Sequence, residues 1–181
     1  LGSNLTIDLD AGNDTFVGSA GNDRVLGGSG TDSLNGAGGD DGLVGGAGLD
    51  TITGGGGADR FDYTNLRDGV LIVSSTSVLQ FERITDFVIG QDMIDVTTTP
   101  ASGSFRNLGA QSALTSSSVT SLLNSSTFLA NGAATFSFGS RTFLALNDSV
   151  AGFSSVNDAV LEITGYSFAS GFNSLSQISF V

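Results

Sequence analysis

Four residue types are missing from this chain of 181 residues: histidine, cysteine, lysine and tryptophan. Without the first three, the chain cannot form a Ser-His-Asp triad, an HExxH zinc site, a P-loop or a Schiff-base lysine. Disulfides and thiolate metal sites are excluded for the same reason. Glutamate occurs only at Glu82 and Glu162, and nothing marks these two as a glycosidase pair. We therefore expect a protein that is not an enzyme.

Positive charge is also sparse, since the six basic residues are all arginine and are dispersed along the chain. Aspartate and glutamate together number 18, which gives a formal net charge of -12 at pH 7. Such an acidic chain is not expected to bind nucleic acid or an anionic membrane surface. No apolar run has the roughly 18 residues of a membrane span. The opening residues LGSNLTIDLD lack the basic-then-apolar start of a classical signal peptide, so we do not expect them to form one.

The chain does contain a nine-residue phrase that is written six times between Leu9 and Asp62. Each copy has glycine at its fourth position, aspartate at its sixth and a large apolar residue at its eighth. The aspartates are Asp14, Asp23, Asp32, Asp41, Asp50 and Asp59, and the apolar residues are Phe16, Val25, Leu34, Leu43, Ile52 and Phe61. These glycine, aspartate and apolar positions, which we call the three columns, recur every nine residues without a shift. Such a strict period predicts a repeat architecture.

The three columns point to calcium. Aspartate offers hard anionic oxygen, which suits Ca²⁺ with its six to eight oxygen ligands. Glycine allows positive φ, so the loop can aim main-chain carbonyls inward beside the carboxylate. The apolar residue lies in the middle of a strand of three or four residues whose neighbours point the other way. The pattern therefore predicts an all-β fold with a narrow core.

A loop and a short strand without a helix are expected to close as a coil of two phrases, with the strands stacked in two parallel sheets. Loops two phrases apart then share an edge, so alternate aspartates form two columns with neighbours about 4.8 Å apart. Each neighbouring pair of carboxylates would repel by about 3 kcal/mol at an effective dielectric constant near 20. A cation between the two carboxylates turns this repulsion into attraction.

The phrases resemble the GGxGxDxUx nonapeptide of the RTX (repeats-in-toxin) family, a calcium-binding repeat. The resemblance implies a parallel β-roll with each ion between loops two phrases apart. Of the two loops, the one that comes first in the sequence would give the carbonyls of its second and fourth residues and its aspartate. The later loop would give the carbonyls of its first and third residues and its aspartate. On one edge the implied ligands are Asp10, Gly12, Asp14, Gly27, Ser29 and Asp32 for one ion, and Gly28, Gly30, Asp32, Gly45, Ala47 and Asp50 for the next. On the other edge they are Ser19, Gly21, Asp23, Gly36, Gly38 and Asp41, then Ala37, Gly39, Asp41, Gly54, Gly56 and Asp59.

Four residues depart from this pattern, since Leu9, Asp10, Ser19 and Ala37 replace glycines. Because these positions would coordinate through the backbone, the substitutions strain the turn more than they remove a ligand. An EF-hand does not fit: a loop starting at Asp8 would have Ser19 where a bidentate glutamate is required. A flexible glycine-rich linker would lack the apolar column.

The segment Phe81–Val96 predicts two strands with a turn at Gly90-Gln91, and its apolar residues Ile84, Phe87, Ile94 and Val96 are expected to face inward. It resembles the segment that closes the roll in serralysin-type proteases. That resemblance implies that Asp68 and Glu82 help to hold a further ion at the end of the roll. The alternative is that these acids are surface charges on a hairpin.

A boundary is expected near Pro100, so we divide the chain into a β-roll (1–63), a roll-capping segment (64–100) and a β-rich C-terminal domain (101–181). The C-terminal part predicts a helix near 117–123 and strands near 135–138, 141–146, 159–163 and 177–181. Residues 141–166 resemble the bluetail domain of secreted bacterial calcium-binding proteins. The RTX resemblance implies secretion through a type I exporter that reads an uncleaved C-terminal signal.

Three functions remain open from the sequence. The first is a noncatalytic, Ca²⁺-dependent folding and export module of a secreted protein. The second is an adhesive or surface-layer segment that contacts polysaccharide or cells. The third is the C-terminal part of an exoenzyme whose catalytic domain lies upstream.

We predict that the repeats are unfolded without Ca²⁺, because stacked carboxylates repel one another and the core is narrow. The far-ultraviolet circular dichroism spectrum should lose its strand signal in EDTA and recover it in excess calcium. Full strand signal in EDTA would refute the prediction.

Overall fold

The computed structural model describes residues 2–69, 72–73, 79–101 and 103–181. The all-β class is confirmed, since the described residues form 18 strands, one α-helix and two short 3₁₀ helices. The strands are β1 (Thr6–Asp8), β2 (Thr15–Val17), β3 (Arg24–Gly30), β4 (Ser33–Asn35), β5 (Gly42–Gly48), β6 (Thr51–Thr53), β7 (Arg60–Asp62), β8 (Ile72–Val73), β9 (Leu79–Gln80), β10 (Glu82–Ile84), β11 (Val88–Ile89), β12 (Met93–Asp95), β13 (Phe105–Ala110), β14 (Ala133–Phe138), β15 (Arg141–Leu146), β16 (Ala159–Ile163), β17 (Ser167–Phe168) and β18 (Ser179–Phe180). The helix is α1 (Ser116–Leu122), and the 3₁₀ helices are Leu66–Gly69 and Leu175–Gln177.

The repeats form the predicted parallel β-roll, with two phrases in each coil. One sheet has the order β1-β3-β5-β7-β12-β18, and the other places β2, β4, β6, β10 and β16 side by side. Val25 pairs with Leu43 in the first sheet, and Leu34 pairs with Ile52 in the second. Alternate phrases, 18 residues apart, are therefore neighbours.

The apolar column forms the core between the two sheets. Val25, Leu34, Leu43, Ile52 and Phe61 are each at most 1% exposed and belong to one cluster. Strand lengths differ from the prediction in one sheet, because β3 and β5 have seven residues each. Their pairing continues through the glycine loop, where Gly28 pairs with Gly46 and Gly30 with Gly48.

The segment predicted to cover the end of the roll instead extends it. Ile84 pairs with Ile52, and Ile94 pairs with Phe61, so β10 and β12 form a further coil. Gly90 and Gln91 form the predicted turn before β12. Of the residues expected to face inward, Ile84, Phe87 and Ile94 are fully buried, whereas Val96 is partly buried against the same core.

The C-terminal region continues the same two sheets. β16 pairs in parallel with β10, and β18 pairs in parallel with β12. The second sheet then proceeds through β15, β14 and β13, with antiparallel pairing on both sides of β15. The predicted segments 1–63, 64–100 and 101–181 are therefore joined by shared sheets.

Successive side chains along β14, β15 and β16 point to opposite faces of the sheet, and both faces are buried. One face, which includes Leu144 and Leu161, packs on the roll core. The opposite face, which includes Phe143 and Val160, packs with Val119 of α1 in a second core. Among the described residues, no helix has the length and apolar character to cross a membrane.

The predicted C-terminal elements are largely present. α1 begins one residue earlier than predicted, β15 and β16 match their predicted bounds, and β14 begins at Ala133. The strand expected at 177–181 is shorter, because residues 175–177 form a 3₁₀ helix. β13 was not predicted, since its sequence FRNLGA does not alternate and it lies at the edge of the sheet.

Candidate calcium sites

The repeat aspartates form two columns, as the two-phrase coil requires. In each column the Oδ1 atom of one aspartate accepts a hydrogen bond from the backbone N–H of the aspartate 18 residues before it. These N···O distances are 2.8 Å for Asp14 to Asp32 and for Asp32 to Asp50. In the second column they are 2.8 Å for Asp23 to Asp41 and 2.9 Å for Asp41 to Asp59.

The second oxygen of several of these carboxylates is buried and has no hydrogen-bond partner. This holds for Oδ2 of Asp14, Asp32, Asp41 and Asp50. Asp32, Asp41 and Asp50 are at most 2% exposed. A buried carboxylate oxygen without a donor carries a large desolvation cost, which a divalent cation removes. The residues present therefore fit Ca²⁺.

The glycine at the first position of the phrase makes room for this oxygen. A Cβ atom on Gly27 would lie 2.7 Å from Oδ2 of Asp32 and in steric overlap with the carbonyl oxygen of Gly45. The same position at Gly36 meets Oδ2 of Asp41 and, at 2.6 Å, the carbonyl oxygen of Gly54. Carboxylate and main-chain oxygens thus converge beside a residue that must be glycine.

Burial and mutual repulsion change the acidity of these groups. Burial raises the pKa of Asp41 to about 6, and the nearby carboxylates of Asp59 and Asp23 contribute to the rise. Burial also raises the pKa of Asp50 to about 6, with a further contribution from Asp32. The pKa of Asp59 is raised for the same reasons. Below about pH 6, calcium would therefore have to displace protons from Asp41 and Asp50.

Main-chain groups supply the rest of the predicted ligand set. The carbonyl oxygens of Asp10, Ser29, Ala37 and Gly56 each accept one hydrogen bond between neighbouring loops. A carbonyl oxygen has a second lone pair and can still bind a cation. Among the described residues, no group of three acidic side chains is arranged to hold a metal. A site of this kind must therefore combine carboxylates with carbonyls.

Left-handed backbone marks the loops that follow the repeat pattern. Asp10 and Ala37, which replace glycines at the second position, adopt φ of 62° and 76°. Ser19 does not share this conformation, and its loop differs from the others. The Asp23 carboxylate accepts N–H bonds from Leu5 and Ser19, both at 2.7 Å. Although burial opposes the change, these bonds lower the pKa of Asp23 overall.

The first loop of the second edge is thus the least suited of the predicted sites. The implied set Ser19, Gly21, Asp23, Gly36, Gly38 and Asp41 contains two carboxylates, and both oxygens of one of them, Asp23, already have N–H donors. Asp41 keeps an unpartnered Oδ2 atom. The sets built on Asp14, Asp32 and Asp50 have an unpartnered oxygen at every aspartate.

The acids predicted at the end of the roll, Asp68 and Glu82, behave differently from surface charges. Glu82 is 1% exposed and lies where β10 continues the Asp14–Asp32–Asp50 column. Burial raises its pKa well above the usual range, with contributions from Asp50 and Asp68. Its Oε2 atom has no partner, while its Oε1 atom accepts a hydrogen bond of 2.6 Å from the Tyr63 hydroxyl. Asp68 is partly buried, and burial raises its pKa.

Two acids that continue the second edge, Asp92 and Asp86, were not predicted as site residues. Asp92 accepts a bond of 3.0 Å from the Asp59 N–H through Oδ1, as a further member of that column. Asp86 accepts the N–H groups of Gly54 and Gly55 at 2.9 and 2.8 Å. A sequence signal existed for Asp92, because Asp92-Met93-Ile94 repeats the Asp-x-apolar spacing of the phrases.

A second ladder of side chains, also not predicted, lies beside the aspartate columns. Oδ1 of Asn13 accepts the N–H of Thr31 at 2.9 Å, and Oδ1 of Asn22 accepts that of Asp40 at 3.0 Å. Here each side chain bonds the coil that follows, whereas the column aspartates bond the coil that precedes. The signal was the Asn-Asp pair in the first two phrases.

Comparison with known proteins agrees with this geometry. The family model of the RTX calcium-binding nonapeptide repeat, in four copies, matches residues 8–43 and 43–68. This part of the chain is therefore an array of RTX calcium-binding repeats, and its cofactor is Ca²⁺. No curated protein matches the chain.

A solved structure resembles almost the whole chain. It is the solution structure of the AlgE6R3 subunit from the Azotobacter vinelandii mannuronan C5-epimerase. The likeness covers 97% of this chain and 84% of that chain, with 26% sequence identity and a TM-score of 0.51. Together the two findings support a parallel β-roll with calcium-binding RTX repeats at residues 8–68. The resemblances to the serralysin roll end and to the bluetail domain stay predictions.

We predict that Gly27→Ala weakens calcium binding, because the added Cβ would occupy the space between Oδ2 of Asp32 and the Gly45 carbonyl. The matched control is Gly42→Ala, which lies outside the implied ligand sets; the nearest atom to its Cβ would be the Asp23 carbonyl oxygen at 4.0 Å, and φ is not in the left-handed region. Calcium titration by calorimetry should show at least a tenfold higher Kd for Gly27→Ala. Equal loss in both variants would contradict this account of the site.

A pH dependence follows from the raised pKa values of Asp41, Asp50 and Asp92, each about 6 in the folded state. In the unfolded chain these groups have a pKa of about 3.9, so protons favour the fold and stability is lost as pH rises through about 6. Calcium-free protein should gain on the order of 1 kcal/mol per group between pH 7 and pH 5. Over the same interval the calcium affinity should fall.

Circular dichroism of calcium-free protein and calcium titrations at the two pH values measure these opposite trends. A calcium affinity that does not change between pH 7 and pH 5 would be inconsistent with ion binding to these carboxylates.

Proposed function

We propose that this chain is a noncatalytic module of a secreted bacterial protein that folds on extracellular Ca²⁺ and supports export by a type I exporter. The observation that carries the proposal is the set of buried, unpartnered carboxylate oxygens in the aspartate columns. These oxygens make the metal-free fold unfavourable at neutral pH, so the fold depends on the ion.

The proposed ions lie between loops two phrases apart. On the first edge they are held by the Asp14–Asp32 and Asp32–Asp50 pairs with the loop carbonyls, and on the second edge by the Asp41–Asp59 pair. Asp32 takes part in two of these sites. Loss of its carboxylate would therefore affect both ions of the first edge.

Because calcium binds the folded state, the calcium concentration would determine whether the chain is folded. An ion present at 100 times its Kd stabilises the folded state by about 2.7 kcal/mol, and independent sites add their contributions. Extracellular calcium modules typically have Kd values of about 10⁻⁴–10⁻³ M. Such sites would be empty at the low free calcium of a cell interior and filled outside it. An exporter would then receive an unfolded chain.

A second candidate function is a repeat subunit that serves a polysaccharide-modifying exoenzyme. It is favoured by the likeness to the AlgE6R3 subunit, whose parent protein is a mannuronan C5-epimerase. The segment would then fold in the same calcium-dependent way beside a catalytic domain. Binding of alginate and of neutral glucans to the calcium-loaded chain would distinguish this candidate from a purely structural module.

The main proposal is tested by titrating the chain with buffered calcium from about 10⁻⁷ to 10⁻² M and following strand content. We expect an unfolded chain at the low end, a folded chain at the high end and a midpoint near 10⁻⁴–10⁻³ M. The Asp32→Asn variant should need more calcium than Asp8→Asn, whose carboxylate lies outside the columns. A chain already folded at 10⁻⁷ M would overturn the proposal.

Export is tested separately by fusing the chain behind an unfolded reporter in cells with and without a type I exporter. Reporter in the medium only when the exporter is present supports the export role. Equal amounts with and without it would remove that role and leave the calcium-dependent folding unaffected.

A further inference from the structure

We infer that the cleft between the end of the roll and the C-terminal region binds a neutral saccharide, with the amide oxygen of Asn147 accepting a hydrogen bond from one of its hydroxyl groups. The cleft has a volume of about 480 Å³, and typical small-molecule sites have about 300–1,000 Å³. Such a site goes beyond the calcium-dependent folding proposed above and requires only that the chain is folded.

Separate segments of the chain meet at this cleft. The roll contributes residues 64–67, which follow β7, and residues 96–100, which follow β12. The C-terminal region contributes the residues before β14 and after β15, which are joined by a hydrogen bond of 2.9 Å from the Asn147 N–H to the Gly132 carbonyl. The cleft therefore forms only when the C-terminal region packs on the end of the roll.

Asn147 lines the cleft with an amide group that is only partly satisfied. Its Nδ2 atom donates to the carbonyl oxygens of Phe128 and Leu129 at 3.1 and 2.7 Å. Because the reversed amide would place its oxygen against these two carbonyls, the two bonds fix its orientation. The Oδ1 atom is buried and has no hydrogen-bond partner among the described residues, and Asn147 is 6% exposed. A buried amide oxygen needs a donor, which a ligand hydroxyl supplies.

The remaining lining has the chemistry of a sugar site. The amides of Asn131 and Asn157 and the hydroxyl of Thr98 face the same cleft. An amide presents donors and an acceptor side by side, which matches two neighbouring hydroxyl groups of a sugar. The aliphatic side chains of Leu66 and Leu146 also line the cleft and suit the C–H face of a sugar ring. A ligand with both hydroxyl groups and an apolar face fits this combination.

The charges of the cleft favour an uncharged ligand. Among the described residues, Arg67 and Asp148 are the charged side chains that line it, one of each sign. The net charge of -12 repels an anion, and a carboxylate has no proton to donate to Asn147. A divalent cation needs several oxygen ligands, and the Asp148 carboxylate already accepts the Val150 N–H at 2.7 Å. The unpartnered amide oxygen is therefore best satisfied by a neutral hydroxyl group.

The test titrates the calcium-loaded full chain with glucose, galactose, mannose and N-acetylglucosamine, using nuclear magnetic resonance and calorimetry. We expect at least one of these sugars to bind with a Kd on the order of 1 mM. Sodium glucuronate and sodium galacturonate carry a carboxylate in place of a hydroxymethyl group and should bind more weakly than their neutral parents. Tighter binding of the uronates would overturn the assignment to a neutral ligand.

Circular dichroism of the same samples separates this inference from the proposed function. A chain that has its full strand signal in calcium but binds none of the sugars would overturn the sugar site and leave calcium-dependent folding intact. A chain that needs no calcium to fold and still binds a sugar would overturn the proposed function and support the sugar site.

Variants locate the site. Thr98→Val keeps the shape of the side chain and removes its hydroxyl. Asn131→Gly removes an amide at a residue whose φ is 49°, a conformation that glycine adopts readily. Each change should weaken sugar binding about 3–10-fold. Thr99→Val is the matched control, because Thr99 is exposed like Thr98 but is not part of the cleft lining. Unchanged affinity in both variants, or equal weakening in the control, would overturn the location.

Asn147→Ala removes the fixed acceptor and should also weaken sugar binding. Because Asn147 is buried, this variant also loses the bonds to Phe128 and Leu129. The Thr98 and Asn131 variants, which change less buried residues, keep the test decisive if Asn147→Ala does not fold.

The saccharide has two possible sources, a free sugar and the end of a polysaccharide chain. For glucose, maltohexaose at the same molar concentration distinguishes them. Tighter binding of the hexasaccharide assigns the site to a chain end, whereas equal or weaker binding assigns it to the free sugar. Both results support the site, provided that Thr98→Val weakens the binding and Thr99→Val does not.

Discussion

The stacking of carboxylates at the spacing of β-strands is the constraint on which the rest of this structure depends. Parallel pairing brings Asp32 between Asp14 and Asp50, so each charge has neighbours of the same sign above and below it. In Asp32, Asp41 and Asp50 the backbone satisfies only one carboxylate oxygen, through the N–H of the preceding coil. The other oxygen is left buried and unpartnered at Asp14, Asp32, Asp41 and Asp50. Sheet geometry thus generates a row of buried carboxylate oxygens at the proposed cation sites.

The two oxygens of each aspartate therefore have different tasks. Oδ1 joins one coil to the next by a hydrogen bond, and Oδ2 faces a point shared with a main-chain carbonyl. Glycine is required beside this point, because any side chain at Gly27 or Gly36 would fill the space. The contacts that join the coils and the proposed calcium ligands are consequently supplied by the same residues.

The repeat region is the part of the fold that could be predicted from the sequence, because residues at equivalent positions of alternate phrases also pair in the sheets. The columns at Asp14 to Asp59 and at Phe16 to Phe61 gave the coil, the pairing of alternate phrases and the buried column, because a strict period fixes the register. The further coil was harder to predict, since Ile84 pairs with Ile52 across an insertion that breaks the period. Asp92 and Asp86 were missed as site residues for the same reason, and β13 because an edge strand needs little apolar patterning. The hydrogen bond from the Tyr63 hydroxyl to Glu82 joins residues 19 apart, and no local pattern predicts it.

The end of the roll imposes an order on assembly. Contacts between repeat coils join residues 18 apart, whereas the Thr164 hydroxyl meets the Ile84 carbonyl across 80 residues. Short loops close at a lower entropic cost and more rapidly than long ones. The repeats are thus able to pair early in folding. The outer edges of β10 and β12 stay unpaired until β16 and β18, within residues 159–180, pair with them. Residues 159–180, which are made after the repeats, thus cover an edge that would otherwise be a template for aggregation.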